Sequence, residues 1–206
     1  MLKIWGRRNS INVQKVLWTC AELGLPYERV DAGLQFGVND TAEYRAMNPN
    51  GLVPTIDDDG FVLWESHAIV RYLARRHGMG TLFPADAKIA ADADRWMEWY
   101  STTLWPAMKP VFWNLVRIAP EKRNMAEVTA AHAKLVEYFG VVDALLAGRP
   151  YMAGHAFSMG DIPLALTAFR WFNLPIERPE FPALAAWFER VSGRAAFREH
   201  CAAPLT

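Results

Sequence analysis

The chain has 206 residues, 52% of them apolar, and balances 22 basic against 22 acidic side chains. That is enough apolar chain for one large domain or two small ones, and the even charge excludes a general pull toward nucleic acid or an anionic membrane. Its two cysteines, Cys20 and Cys201, have neither CxxC nor Cys/His spacing. A disulfide framework and a structural zinc are therefore not expected, and a reducing, cytoplasmic setting is.

The opening MLKIWGRRNS lacks the apolar stretch of a signal peptide, and no apolar run approaches membrane-spanning length. Leu2 to Trp5 reads as a strand. After GRRNSIN, apolar residues at Val13, Val16, Leu17, Cys20 and Leu23 predict a helix, which Gly24 and Pro26 end. Tyr27 to Val30 reads as a second strand, parallel to the first through the helical crossover. Residues 32–51 read as loop, with a short helical piece around Thr41 to Met47. In VPTIDDDGFVLW, two β-type runs flank Asp58-Asp59-Gly60, a hairpin signal. Ser66 is expected to N-cap a helix through Ile69, Val70, Leu73 and Ala74 to Gly78. The order is βαβ, then ββα.

Beyond Gly78-Met-Gly80 the strand signal stops. Residues 87–118 are helical in pattern, with Pro106 and Pro110 expected to kink or interrupt the run. A second helix spans 121–147. Ser158-Met-Gly-Asp161 resembles a capping box that opens a helix to about Asn173. Phe181 to Val191 and a short C-terminal helix complete an all-α second half. Seven of the nine tryptophans fall at or before residue 113, pointing to an aromatic core or pocket there.

Four groups of residues carry the chemistry: Ser10-Ile-Asn12, Val53-Pro54, Glu65-Ser66, and Arg7-Arg8. Taken singly each has an ordinary explanation: a helix cap, a turn proline, first-turn chemistry, solvated arginines. Together they sit on a βαβ–ββα unit followed by helices, and that combination resembles the glutathione transferase family over essentially the whole chain. The SMGD helix start also looks like the N-capping element that family carries. The nearest classes in motif are the bacterial-like, serine-type ones, such as theta, zeta and nu-like.

The resemblance implies an α/β thioredoxin-like N-terminal domain at 1–79, a linker at 80–86 and an all-α helical bundle at 87–206, acting as a homodimer. It implies glutathione as co-substrate, with no metal. Val53 would pair its backbone with the cysteinyl unit and Pro54 would be cis. Glu65 would face the γ-glutamyl ammonium and Ser66 its carboxylate, at a helix N-terminus suited to anions. Arg7, Arg8, Gln35 and Asn50 are the candidates for the glycine carboxylate, and the sequence does not choose among them. Ser10 ranks first as thiolate donor and Asn12 second. No tyrosine precedes Tyr27, which disfavours tyrosine-type activation. The ordinary thiol pKa is about 8.5, and lowering it two units needs about 2.7 kcal/mol. A hydroxyl bond to an anion supplies about 1.5–3 kcal/mol and a helix terminus about 0.3–1.

The second substrate would be a small hydrophobic electrophile bound between the domains, against Trp105, Met108 and Phe112 on one helical face and the adjacent Trp113, each of which packing against neighbouring helices explains as well. Asp92, Asp94, Arg95 and Glu98 read as a solvated face or, by the family pattern, a dimer-interface stretch. The five histidines show no metal-ligand spacing. Three functions stay open: a conjugating transferase, a glutathione-dependent reductase, peroxidase or isomerase on the same site, and a non-catalytic glutathione-binding protein.

Overall fold

A computed structural model describes all residues, Met1–Thr206. Its first part alternates β1 (Leu2–Trp5), α1 (Ile11–Glu22), β2 (Tyr27–Val30), α2 (Ala42–Met47), β3 (Thr55–Asp58), β4 (Phe61–Trp64) and α3 (Ser66–His77). The four strands form one sheet in the order β2-β1-β3-β4. The β1–β2 pair is parallel, and the β1–β3 and β3–β4 pairs are antiparallel. Asp59 and Gly60 form the two-residue turn between β3 and β4 with φ of 53° and 91°. Both angles are positive, as a tight hairpin requires.

The helices that follow are α4 (Ala87–Trp99), α5 (Trp105–Phe112), α6 (Met125–Leu146), α7 (Asp161–Asn173), α8 (Pro182–Ser192) and α9 (Ala195–His200). Pro106 and Pro110 do not break the 87–117 run. It widens into π turns at Tyr100–Leu104 and Trp113–Arg117. There the Trp105 and Ile118 amides reach back five residues, to the carbonyls of Tyr100 and Trp113. Asn114 Nδ2 donates to the Pro110 carbonyl at 2.9 Å. Such turns absorb the bonds that proline cannot make.

Helix α1 joins the two parts because it is buried on nearly every side. Val13, Val16, Leu17 and Cys20 pack with Ile4 and Ile56 of the sheet. Ile11 and Trp18, one face over, belong to the core of the helical part. Trp18 meets Phe197 edge-on at 5.0 Å. Its Nε1 donates to Glu22 at 2.8 Å, and Arg194 of the helical part grips the same carboxylate through Nε and Nη2 at 2.7 and 2.6 Å. The α4 charges likewise find partners within the chain. Arg71 of α3 pairs with both Asp94 and Glu98, and Asp92 accepts from Arg95 and Arg149. Asp94, Arg95 and Glu98 stay largely exposed, so the stretch is a solvated face whose charges are paired within the chain.

The SMGD segment forms half of the expected capping box: Asp161 takes the Ser158 amide, but the N-cap of α7 is Gly160 and Ser158 Oγ accepts the Gly160 amide instead. Asp161 is fully buried. It accepts the Ser158 amide and hydroxyl at 2.9 and 3.3 Å, the Met152 amide at 2.9 Å and Trp187 Nε1 at 2.9 Å. Burial pushes its carboxyl up to about 6 against the pull of these donors, so at neutral pH it is an ionised acceptor holding three segments together. Truncating it strands buried donors. Asp161→Ala is expected to lower the free energy of unfolding by about 3 kcal/mol in urea denaturation; a loss well under 1 kcal/mol would contradict this role.

Candidate functional site

Two helices begin side by side at one end of the sheet. β1 runs through Gly6 and the Arg7–Ser10 turn into α1, while β4 enters α3 with no loop at all. The first intrahelical bond of α1 is Gln14 N–H to the Ser10 carbonyl at 2.8 Å, and that of α3 is Ile69 N–H to the Glu65 carbonyl at 2.9 Å. The amides of Ile11, Asn12 and Val13, and of Ser66, His67 and Ala68, therefore have no helical acceptor. Paired helix N-termini of this kind favour a ligand with more than one negative group.

Ser10 is the N-cap residue of α1, yet its hydroxyl makes no capping bond and stays free to donate elsewhere. Ser66 is not the N-cap of α3. Glu65 takes that position with φ of 72°, and Ser66 opens the first turn. With no loop between β4 and α3, one residue must reverse the chain. A non-glycine residue there costs about 1–3 kcal/mol and leaves the exposed Glu65 at the cleft mouth.

Asn12, Glu65, Ser66 and Trp105 line one cleft of about 500 Å³, together with Lys15, His67, Tyr100 and Ser101. The Val53–Pro54 bond is cis. Pro54 is buried and Val53 half-buried, and neither the N–H nor the C=O of Val53 is bonded to backbone. Arg7 stands beside them, its Nη1 3.0 Å from where a Cβ on Gly33 would lie, with Val53 next at 3.4 Å. Arg8, Gln35 and Asn50 are exposed, and none lines this cleft. Asn50 is tied to Asn48 Oδ1 by its amide and Nδ2 at 3.1 and 3.3 Å.

The expected apolar wall is smaller than its spacing suggests. Trp105 is half-buried at the cleft, but Met108 is 0% and Phe112 4% exposed, enclosed by the helical core, and Trp113 is 44% exposed outside it. The three residues do share one face of α5, but that face turns into the helical core rather than the cleft.

Lys15, which sequence reasoning passed over, anchors the cleft floor. It is 2% exposed. Its Nζ donates to Asn12 Oδ1 at 3.0 Å and Ser66 Oγ at 3.4 Å, meets His67 Nε2 at 3.1 Å, and lies 4.4 Å over the Tyr100 ring. A lysine only donates, so Asn12 must turn its oxygen inward and present Nδ2 outward, and His67 must carry its proton on Nδ1, facing Ser101 Oγ at 3.0 Å. The one signal in sequence was a charge amid the apolar positions of α1. Burial, then Arg170, hold Lys15 well below the ordinary lysine range, with Glu65 opposing. Burial, then Lys15 and Arg71, depress His67 to about 2.

Burial raises the Cys20 thiol to about 12 and raises Cys201 as well, which leaves neither as a nucleophile. No group of three or more His, Cys, Asp or Glu side chains could hold a metal ion, and no helix is long and apolar enough to cross a membrane. A slightly larger cleft, about 560 Å³, lies near Gly80 and Gly154. Two of its charged side chains, Asp92 and Arg149, pair with each other, and neither helix N-terminus opens into it.

A thioredoxin-like unit with two helix N-termini opening against a helical bundle defines the class of two-domain thiol transferases. The family model described as glutathione S-transferase, N-terminal domain, matches residues 1–75, and that of the C-terminal domain matches 101–195. Glutathione S-transferase GstB of Escherichia coli (strain K12) is 40% identical over 208 residues, covering 100% of each chain. Glutathione S-transferase 3 of Zea mays is 35% identical, covering 98% of this chain and 94% of its own. The theta class glutathione S-transferase from Xanthomonas axonopodis pv. citri, solved with glutathione bound, superposes with a TM-score of 0.96 at 45% identity, covering 100% of this chain and 99% of that one. The chain belongs to the glutathione S-transferase family and is an enzyme of that family.

His67 makes stability depend on pH. It takes up a proton near 6.5 when unfolded but only near 2 when folded. Its contribution is complete above 6.5 and is lost as pH falls below that value. Unfolding free energy is expected to drop by about 1.4 kcal/mol per pH unit from His67 alone between about pH 6.5 and about pH 5. Urea melts of the wild type and of His67→Gln measure this, and equal slopes would contradict it.

Proposed function

We propose that the chain binds glutathione across the two helix N-termini and holds its sulfur as a thiolate for attack on small electrophiles. The observation that carries this is the free Ser10 hydroxyl at the start of α1, beside unpaired first-turn amides and the outward Nδ2 of Asn12. Ser10 donates to the sulfur, with Asn12 as the second donor. Val53, next to Pro54, offers its unpaired N–H and C=O to the cysteinyl backbone in strand fashion. The α3 amides and Ser66 receive the γ-glutamyl carboxylate, and Glu65 its ammonium. Arg7, beside Val53, is the best placed of the four candidates for the glycine carboxylate. Trp105 borders the electrophile. The chain divides in this reading into residues 1–79, which bind glutathione, and 87–206, which wall the second substrate, joined by 80–86.

The chemistry follows from where charge resides. Thiolate formation sends a proton to solvent, and the anion is stabilised by Ser10, Asn12 and the α1 dipole. Both protein thiols are buried and raised, so the nucleophilic sulfur comes from the peptide. A cysteine-based exchange mechanism has no support in the site.

Ser10→Ala is expected to lower kcat for an aryl halide by about tenfold to a hundredfold while the KM for glutathione changes less than about threefold. Unchanged turnover would move the role to Asn12. Glu65→Ala is expected to raise the KM for glutathione by about tenfold or more with kcat largely kept. A fall in kcat alone, at unchanged affinity, would contradict the ammonium assignment.

A further inference from the structure

Four arginines bury an Nε that has no hydrogen-bond partner: Arg7, Arg117, Arg149 and Arg170. Arg149 has Asp92 at 2.6 Å through Nη1. The other three have no carboxylate, although elsewhere the chain pairs its half-buried guanidinium groups carefully, Arg29 with Asp31, Arg71 with Asp94 and Glu98, and Arg194 with Glu22. Arg170 is enclosed, while Arg7 and Arg117 are half-buried with a shielded Nε. An uncompensated charge shielded from water is costly, so Arg170 with two more unpaired arginines needs an explanation.

The three lie along the seam beside Ser10. Arg7 leads into Ser10, whose amide donates to the Arg7 carbonyl at 3.2 Å. Arg117 ends the second π turn, and its guanidinium lies 5.8 Å from the Phe112 ring centre. Arg170 of α7 is 4% exposed and lies 4.5 Å from the same ring and 5.8 Å from that of Trp105, the cleft residue. Its only side-chain bond is a long one, Nη1 to the Leu166 carbonyl at 3.4 Å on its own helix. Arg117 and Arg170 thus approach the same Phe112 ring, and burial depresses all three arginines, with Arg117 further lowering Arg7 and Arg170. A narrow crevice leads to Arg170 past Asn9, Gln14 and the tail Ala203–Thr206, which brings no acidic side chain.

Glutathione leaves part of this set unanswered. One of its carboxylates is assigned to α3 and the other to Arg7, which leaves Arg117 and Arg170 without an anion. We propose that the second substrate brings its own negative group, a carboxylate attached close to its electrophilic carbon, and that Arg117 and Arg170, with Arg7 at the glutathione side, hold it beside the sulfur. The inference rests on the reading of glutathione as co-substrate. In the substitution the sulfur lone pair forms the S–C bond, the carbon–halogen bond breaks, and halide leaves with the bonding pair. The thiol proton has already passed to solvent, and the carboxylate stays ionised against the guanidinium groups.

The test compares 2-chloro-5-nitrobenzoate with its neutral counterpart 2-chloro-5-nitrobenzamide, each kcat/KM being divided by the uncatalysed rate with free glutathione. The wild type is expected to favour the carboxylate by about tenfold or more. Arg117→Gln and Arg170→Gln are expected to bring the ratio to within about threefold of one, and Arg117→Lys to keep part of the preference. Arg117 is half-exposed and bonded to nothing, so its variants are the safeguard should Arg170→Gln fail to fold. No carboxylate preference in the wild type, with saturable glutathione and turnover of both probes, overturns this proposal and leaves the glutathione reading standing. A ratio unchanged in Arg117→Gln, with a raised KM for glutathione, also overturns it, by returning the cluster to the peptide. No saturable glutathione binding by calorimetry removes both readings together.

Discussion

Helix α1 has to satisfy two layers at once, and the rest of the structure is arranged around that demand. One face fills the sheet with Val13, Val16, Leu17 and Cys20, and the next inserts Ile11 and Trp18 into the helical part. Burying a helix all round fixes its position to the tolerance of core packing. The N-terminus of α1 is therefore delivered to one place, next to that of α3, with neither end free to drift. Six first-turn amides come together this way, and the chain itself provides no acceptor for them. A peptide carrying a carboxylate and an ionisable thiol supplies what they lack.

The electrostatics of the cleft reinforce that placement. Taking an ammonium out of water costs several kcal/mol, and Asn12, Ser66, His67 and the Tyr100 face offset only part of it, which is why Lys15 stays depressed. What the fold gains is orientation. A buried donor on one side of Asn12 leaves the amide one way to turn, and a neutral His67 adds no competing charge. The positive character of the seam then continues outward through Arg170, Arg117 and Arg7. The apolar wall anticipated for the second substrate contracts to Trp105, with the Arg170 guanidinium 5.8 Å from its ring.

Much of this was legible before any coordinates. The β1-α1-β2 alternation, the Asp59-Gly60 turn and the SMGD helix start are local signals, each written within a few residues, and all three appear in the structure. What escaped reading depends on tertiary neighbours. Lys15 looked like a stray charge until α1 and α3 were packed together. Ser66 looked like a cap because serine usually is one, whereas the loopless entry from β4 gives that position to Glu65. Pro106 and Pro110 signalled a break, but π turns carried the helix through, and the shared face of Met108 and Phe112 packs into the interior. The arginine cluster draws on positions 7, 117 and 170, a relation that no window along the chain can display.

The most direct measurement is the ultraviolet titration of glutathione bound to the wild-type enzyme, following thiolate absorbance against pH. If the Ser10 hydroxyl and the α1 amides act together on the sulfur, the bound thiol titrates near about 6.5, roughly two units below its free value. A bound thiol that titrates at the free value of about 8.5 would show that the helix N-terminus holds the peptide without activating it.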